Sequence, residues 1–146
     1  MDQRRFQYEQ ALMEKYFPRK HQWVNMDDPQ NAFLDFAHTS ASGRSYNLKI
    51  VIPPDYPNSL SQVFVMYPKP DKFVDHRGKP LYQYGPDHNM HLLHPNGKFA
   101  QLCHFLKDDW HPNCSLYLVA VKCALWLEVY EQHLATGQPI DTFVSS

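Results

Sequence analysis

Hydrophobic residues recur at helical spacing near both ends of the chain and at alternate positions between them. Residues 2–17 carry one apolar stripe and are followed by Pro18, which predicts a first amphipathic helix. The residues on this stripe are Phe6, Leu12, Met13, Tyr16 and Phe17. Beyond this helix the period shortens to two, which is typical of strands with one buried face.

The middle of the chain contains four segments with strand character, over residues 22–26, 32–38, 45–52 and 62–67. The third segment alternates most clearly, and Pro53 ends it because proline cannot donate to a strand ladder. Its apolar face consists of Tyr46, Leu48, Ile50 and Ile52. Short turns between consecutive strands predict an antiparallel meander with one face free for a helix.

A long second helix is predicted after Pro112, with Asn113 or Ser115 as its N-cap and Gly137 as its stop signal. It is apolar almost all round, which indicates a central, buried helix. We therefore predict an α+β fold and a single domain over residues 1–146. Its order is an N-terminal helix, a four-stranded antiparallel meander sheet, an active-site loop and a long central helix.

The chain departs from this plan in residues 68–89, a connection rich in Pro and Tyr that precedes the predicted active-site loop. Within it, residues 76–80 have the composition of a tight turn and predict a small hairpin between Phe73 and Leu81. We treat the stretch from Pro68 to Met90 as an insertion, whose role the sequence leaves open.

Composition narrows the classes of function. The 146 residues are 43% hydrophobic and 14% aromatic, which excludes a disordered chain. A formal net charge of −1 gives no general attraction to nucleic acid or to an acidic membrane. The longest apolar-rich run, 116–130, contains Lys122 and Glu128 and is too short to span a bilayer. With three cysteines and no visible signal peptide, we expect reduced thiols in the cytoplasm.

The candidate chemistry lies between His94 and Pro112. Cys103 follows Asn96 by seven residues and precedes Trp110 by seven. A thiol can accept an acyl group from another thioester, and the side-chain amide of Asn96 could donate to the oxyanion that forms. Alternatively, Cys103 is a small core residue and Asn96 braces its own turn. The neighbouring His104 is a poor base for Cys103, because adjacent side chains of an extended segment point apart.

Three motifs together resemble those of the ubiquitin-conjugating enzymes. They are Pro54-Asp55-Tyr56-Pro57 after the third strand, His94-Pro95-Asn96 ahead of Cys103, and Trp110-His111-Pro112 before the central helix. The resemblance covers essentially the whole chain. It implies the conjugating-enzyme fold and a transferase that accepts a ubiquitin-like protein as a thioester on Cys103 and passes it to an amine.

The resemblance also implies roles and partners. Cys103 and Asn96 are the implied catalytic residues, whereas Tyr56 and Pro57 fix their turn. The supporting residues of the active-site loop are His94, Pro95, Trp110, His111 and Pro112. The implied partners are the modifier and an activating enzyme, which would dock on the first helix at Arg4, Arg5 and Lys15. No cofactor and no metal are expected, because ATP is used in the activating step.

The chain departs from the family pattern in several ways. The insertion is unusual, both spacings to Cys103 are about one residue short, and two helices usual after the central one are missing. Asp141 is the single candidate for the acidic residue near the acceptor amine. These departures are similar to compact bacterial conjugating-enzyme-like proteins. Those proteins are encoded beside a ubiquitin-like protein, an activating enzyme and a deubiquitinase-like metalloprotease, and some act in antiphage defence.

Two alternatives belong to other classes. The first is a non-catalytic variant that binds a ubiquitin-like protein, against which the presence of Cys103 argues. The second is a zinc-binding protein, although the spacings of the candidate ligands match no common closed site. These ligands are His88, His91, His94, Cys103, His104, His111 and Cys114. Nucleic-acid binding has little support, because the basic residues are dispersed.

Overall fold

A computed structural model describes residues 1–144 and has α+β architecture, with two helices and six antiparallel strands in that range. The helices are α1 (Gln3–Tyr16) and α2 (Leu116–Thr136). The strands are β1 (His21–Val24), β2 (Phe33–Thr39), β3 (Ser45–Val51), β4 (Val63–Tyr67), β5 (Leu92–Asn96) and β6 (Phe99–Leu102). They form one sheet in the order β1-β2-β3-β4-β6-β5. The predicted α+β class, with an N-terminal helix and a central helix, is thus confirmed, and the predicted domain extends two residues beyond the described range.

Both helices begin and end close to their predicted positions. Asp2 caps α1 by accepting from the backbone N–H of Arg5 at 2.7 Å. Ser115, rather than Asn113, caps α2 by accepting from the N–H of Leu118 at 3.1 Å. Gly137 ends α2 in the left-handed conformation, as the sequence predicted. Within residues 1–144, neither helix has both the length and the apolar character needed to cross a membrane.

The prediction of four strands was too low. The two further strands, β5 and β6, form a hairpin from the segment predicted as a loop, and Phe64 pairs with Gln101 to join it to β4. The misleading residue is Pro95, which normally argues against a strand. The sheet tolerates it because β5 is an edge strand and the register shifts between Leu93 and Asn96.

The insertion packs against the central helix. Val74 pairs with Pro80, and the Leu81 N–H donates to the Phe73 carbonyl at 3.0 Å, so the predicted small hairpin is confirmed. The Tyr130 hydroxyl of α2 donates to the Val74 carbonyl at 2.5 Å. The Phe73 ring lies 4.8 Å from the Tyr130 ring. These contacts make the insertion part of the core.

The core lies between one face of the sheet and α2. The inward positions of β2 and β3 are fully buried and alternate with partly exposed ones, as expected for a sheet covered on one face. Nine residues of α2 are buried, whereas Leu125 is 58% exposed, so the helix is apolar beyond the face it buries. The fully buried side chains of both layers include Leu34, Phe36, Leu48, Ile50, Leu116 and Leu127.

A buried carboxylate joins α1 to the start of α2. Glu9 is fully buried and accepts from the Arg5 guanidinium at 3.0 Å, from the Leu116 N–H at 3.0 Å and from the Tyr56 hydroxyl. Arg5 also donates to the Pro112 carbonyl at 2.6 Å and to the Cys114 carbonyl. Burial raises the pKa of Tyr56, so its hydroxyl stays protonated and donates. We call Arg5, Glu9 and Tyr56 the Glu9 cluster.

We predict that Glu9→Ala lowers the free energy of unfolding by about 3 kcal/mol, because it leaves the buried Tyr56 hydroxyl, the buried Leu116 N–H and the partly buried Arg5 guanidinium without this acceptor. The measurement is urea unfolding followed by circular dichroism. Glu14→Ala is the matched control, since Glu14 is exposed on the same helix, and it should change stability by less than about 0.5 kcal/mol. A loss below about 1 kcal/mol in Glu9→Ala would contradict the role given to the cluster.

Candidate active site

The hairpin of β5 and β6 positions Cys103 at its open end. β6 ends at Leu102, and the Cys103 N–H then donates to the His91 carbonyl at 2.9 Å. Cys103 and His91 are therefore opposite each other. Cys103 is partly exposed, whereas Cys114 and Cys123 are buried. Among the three thiols, Cys103 is the one that a partner can reach.

Aromatic contacts hold the segment that follows Cys103. The Phe105 and Trp110 rings pack edge to face at 5.6 Å, and the Trp110 indole N–H donates to the Pro57 carbonyl at 2.9 Å. The Tyr56 ring lies 6.0 Å from Trp110. The structure thus brings together two motifs that are far apart in sequence, the Tyr-Pro turn and the Trp-His-Pro segment. Both ends of the loop carrying Cys103 are fixed.

Cys103 opens into a cavity of about 540 Å³ between the hairpin and α2. His91 and His104 line it on the hairpin side, and Lys122 and Leu125 line it from α2. Asp141, in a short 3₁₀ turn after α2, closes another side. The cavity combines a thiol, imidazoles, a carboxylate and an ammonium group with apolar walls.

His91 and Asp141 form a hydrogen-bonded pair in this cavity. His91 Nε2 lies 2.7 Å from Asp141 Oδ1, and this bond lowers the pKa of Asp141. The backbone fixes both residues, because the Asp141 N–H donates to the Asn89 carbonyl at 2.8 Å and the Trp126 indole donates to the His91 carbonyl at 3.0 Å. Asp141 was suggested by the resemblance, whereas His91 was considered only as a candidate zinc ligand.

His104 directly follows Cys103, after β6 has ended at Leu102, and both residues line this cavity. His104 Nε2 is buried and has no hydrogen-bond partner within residues 1–144. Burial lowers the pKa of His104 to about 4, so its imidazole is neutral at pH 7.

The environment of Cys103 favours the thiol over the thiolate. Burial raises the pKa of Cys103, since the charged sulfur is poorly solvated. The neutral His104 supplies no compensating positive charge. Cys103 is consequently unlike an activated protease cysteine, whose pKa is depressed by an imidazolium.

Asn96 is not placed beside Cys103, contrary to the oxyanion role implied by the resemblance. Asn96 pairs with Phe99 at the turn of the hairpin, while Cys103 is at the opposite end. Four strand residues separate these positions, or roughly 13 Å. Asn96, His94 and Pro95 instead line a different cavity, of about 410 Å³, together with Lys49 of β3. The seven-residue spacing between Asn96 and Cys103 suggested that they are close, but the chain reverses direction directly after Asn96 and carries Cys103 to the other end of the hairpin.

The remaining predicted residues are dispersed. Arg4 and Lys15 are exposed on α1 and are free to meet a partner, but Arg5 donates to carbonyls inside the molecule and is structural rather than partner-binding. His111 is exposed, and its Nδ1 accepts from the Asn113 N–H at 3.3 Å. Pro112 contributes its carbonyl to Arg5. Neither His111 nor Pro112 lines the cavity at Cys103.

The described part of the chain contains no site that supports the zinc-binding alternative. Among residues 1–144, no three His, Cys, Asp or Glu side chains are grouped so that they could hold a metal ion. His94 lines the other cavity, Cys114 is buried, and His111 makes a local turn contact. His88, His91, Cys103 and His104 line the cavity at Cys103 without forming such a group, so the seven candidate ligands do not converge on one place.

No family model, no curated protein and no solved structure matches this chain. The likeness to ubiquitin-conjugating enzymes therefore rests on the chain's own motifs, and a function has to be argued from the site itself.

We predict that iodoacetamide modifies Cys103 alone and does so slowly at pH 7. Because the pKa of Cys103 is raised, the rate should increase about tenfold per pH unit up to at least pH 8.5. Intact-mass measurement at several pH values gives the rate, and Cys103→Ala, which retains the two buried thiols, should stay unmodified. A rate that levels off below pH 8 would contradict the raised pKa.

Proposed function

We propose that the chain is a carrier enzyme of the ubiquitin-conjugating type. It accepts the C-terminal carboxyl group of a ubiquitin-like protein as a thioester on Cys103 and transfers it to an amine. The supporting observation is that Cys103, the partly exposed thiol, opens into a cavity that also contains the His91–Asp141 pair. A cysteine with only a structural role would not require an open cavity or a hydrogen-bonded His–Asp pair.

The first step is an exchange of thioesters. The Cys103 thiolate attacks the carbonyl carbon that joins the modifier to the activating enzyme. The new C–S bond forms, the bond to the enzyme's sulfur breaks, and that thiolate takes up a proton. The bond broken and the bond formed are of the same kind, so the step is close to neutral in free energy and reversible.

The raised pKa of Cys103 suits this carrier role. Cys103 first attacks a thioester and later leaves as a thiolate. A strongly depressed pKa would help the leaving step but weaken the attack, so it would not accelerate the two steps together. A more basic sulfur is also the better nucleophile once it is deprotonated. The small thiolate fraction at neutral pH slows non-specific acylation and oxidation of Cys103. Thioester exchange then depends on a partner that binds and positions its thioester beside Cys103.

The cavity provides room for the modifier's tail. Leu106 and Leu125 at its wall are 60% and 58% exposed, which offers apolar contact to an extended segment reaching Cys103. Arg4 and Lys15 on α1 form a basic surface on which an activating enzyme would dock. We place the protein in the cytoplasm, in a bacterial pathway that includes a deubiquitinase-like metalloprotease and serves antiviral defence.

We predict that the wild-type chain, incubated with its activating enzyme, ATP and the modifier, forms an adduct that a thiol reductant removes. Cys103→Ala should form no adduct, and Cys103→Ser should form an ester that resists the reductant. Gel electrophoresis with and without reductant distinguishes these products. Biological function retained in Cys103→Ala would instead support the non-catalytic binding variant, and charging on Cys114 or Cys123 would refute the proposed site.

We predict that Asn96→Ala keeps charging and transfer within about threefold of wild type, because Asn96 lies at the far end of the hairpin. An oxyanion donor would give a loss of roughly 10²-fold or more. Initial rates of both steps in the same assay measure the effect. A loss of that size without a change in thermal stability would show that Asn96 approaches Cys103 in the working complex.

A further inference from the structure

The second step of the proposed function needs a group that accepts a proton. When an amine attacks the thioester, its nitrogen becomes positively charged and has to lose a proton before the amide is stable. Thioester exchange makes no such demand, since a thiolate has no proton left to lose. A base within the cavity would therefore accelerate transfer to an amine selectively.

The structure assigns this role to His91, and the assignment depends on the proposed function of Cys103. We propose that His91 is the base that deprotonates the incoming amine, with Asp141 as the residue that positions its ring. Both side chains line the cavity into which Cys103 opens. His91 lies opposite Cys103 across the end of the hairpin, and directly opposed residues have Cα atoms roughly 5 Å apart.

Hydrogen bonding leaves one ring nitrogen of His91 available. Nε2 is bound to Asp141 at 2.7 Å, which gives Nε2 the proton and leaves a lone pair on Nδ1. In the described part of the chain, the ring's hydrogen bonds involve Nε2 alone. The His91 side chain is 19% exposed and that of Asp141 40%, so an amine entering from solvent can reach the pair.

The backbone around His91 is more constrained than a surface residue requires. His91 has a φ of 50°, in the left-handed region that is uncommon for residues other than glycine. Its carbonyl accepts from both the Cys103 N–H and the Trp126 indole N–H. Strained conformations that the surroundings hold in place cluster at functional sites. These contacts tie the position of the His91 ring to that of Cys103.

The atoms of the proposed step balance. The amine nitrogen attacks the thioester carbon and gives one proton to His91 Nδ1. The C–S bond breaks, Cys103 leaves as a thiolate, and the imidazolium returns the proton to sulfur. The products are an amide and the free Cys103 thiol, so no oxidant, reductant or further reactant is consumed. Asp141 stabilises the imidazolium while it exists.

The test separates this step from charging by using a chemical acyl donor. Cys103 is loaded from a Gly-Gly peptide thioester of mercaptoethanesulfonate, and intact mass follows the loss of the acyl group to L-lysine or to added thiol. His91→Asn keeps a residue that tolerates the left-handed conformation but is not a base. It should slow transfer to lysine by about 10²-fold and leave thiol exchange within about twofold.

Two further variants sharpen the result. Asp141→Asn should slow transfer to lysine by about tenfold and leave thiol exchange unchanged. A purely structural role would not alter the ratio of these two rates. His88→Asn is the matched control. Its ring stacks on His91 at 5.4 Å and its Nε2 lies 3.6 Å from Asp141 Oδ1, which is beyond hydrogen-bond distance, and its side chain is 80% exposed. Both of its rates should stay within about twofold of wild type.

The pH dependence gives an independent readout. Because transfer needs a base that takes up the amine's proton, the wild-type rate per unprotonated lysine amine should fall as the pH is lowered, whereas the rate of His91→Asn should not change with pH. The other titratable groups that line the cavity are His88, Cys103, His104, Asp109, Lys122 and Asp141. Cys103 is acylated in this assay, and burial lowers the pKa of His104 to about 4.

Each outcome decides between the two proposals. If His91→Asn transfers to lysine at the wild-type rate, or slows thiol exchange equally, the role of His91 is wrong and the carrier function stands. If wild-type Cys103 takes no acyl group from the thioester, both proposals fall. A wild-type pH profile retained in His91→Asn would also overturn the assignment.

Discussion

The Glu9 cluster is the interaction on which the placement of the site depends. A fully buried carboxylate is costly unless every oxygen is paired, and Glu9 meets that requirement with donors from three separate parts of the chain. Its bond to the Leu116 N–H satisfies one of the free amides at the start of α2 and brings negative charge to the positive end of the helix dipole. Arg5 extends the cluster to the Pro112 carbonyl. The N-terminal helix, the Tyr-Pro turn and the start of the central helix are thereby locked to one another.

This lock determines where the loop carrying Cys103 can lie. The loop leaves the sheet at Leu102, whose partner is Leu92 on the edge strand, and returns to the Glu9 cluster at Pro112. Between these points Trp110 is bound to the Pro57 carbonyl and packs against Phe105. The Tyr-Pro turn and the Trp-His-Pro segment therefore have structural roles, because they hold the loop that carries Cys103. The His-Pro-Asn motif forms the turn at the other end of the hairpin. The groups that surround the thiol come from the edge strand, the central helix and the turn after it.

Local patterns were sufficient for some elements and insufficient for others. Helix α2 was predicted because its cap, apolar run and Gly137 are all local signals, and the hairpin at 76–80 was predicted for the same reason. The strand around Pro95 was missed, since its tolerance for proline depends on being at the edge of the sheet. The pair of His91 and Asp141 spans 50 positions, and no spacing rule connects residues that meet only through the fold. Asn96 shows the opposite error: seven residues from Cys103 in sequence, it is distant in space because a hairpin turn intervenes.

The proposed function requires a cysteine that is a good nucleophile and resists oxidation, and it also requires a base for the incoming amine. The arrangement around Cys103 assigns these two requirements to different residues. A cysteine made acidic by a nearby imidazolium would be a better leaving group but a weaker nucleophile, and it would be exposed to oxidation. Here His104, which follows Cys103 in the chain, is buried and neutral, and burial raises the pKa of the Cys103 thiol. The imidazole held by a carboxylate belongs to His91, directly before β5, where it lines the cavity that an amine would enter in the proposed transfer. Under the proposed function, activation would be directed at the incoming amine and not at the sulfur, which a carrier requires if it is to hold a thioester until an acceptor arrives.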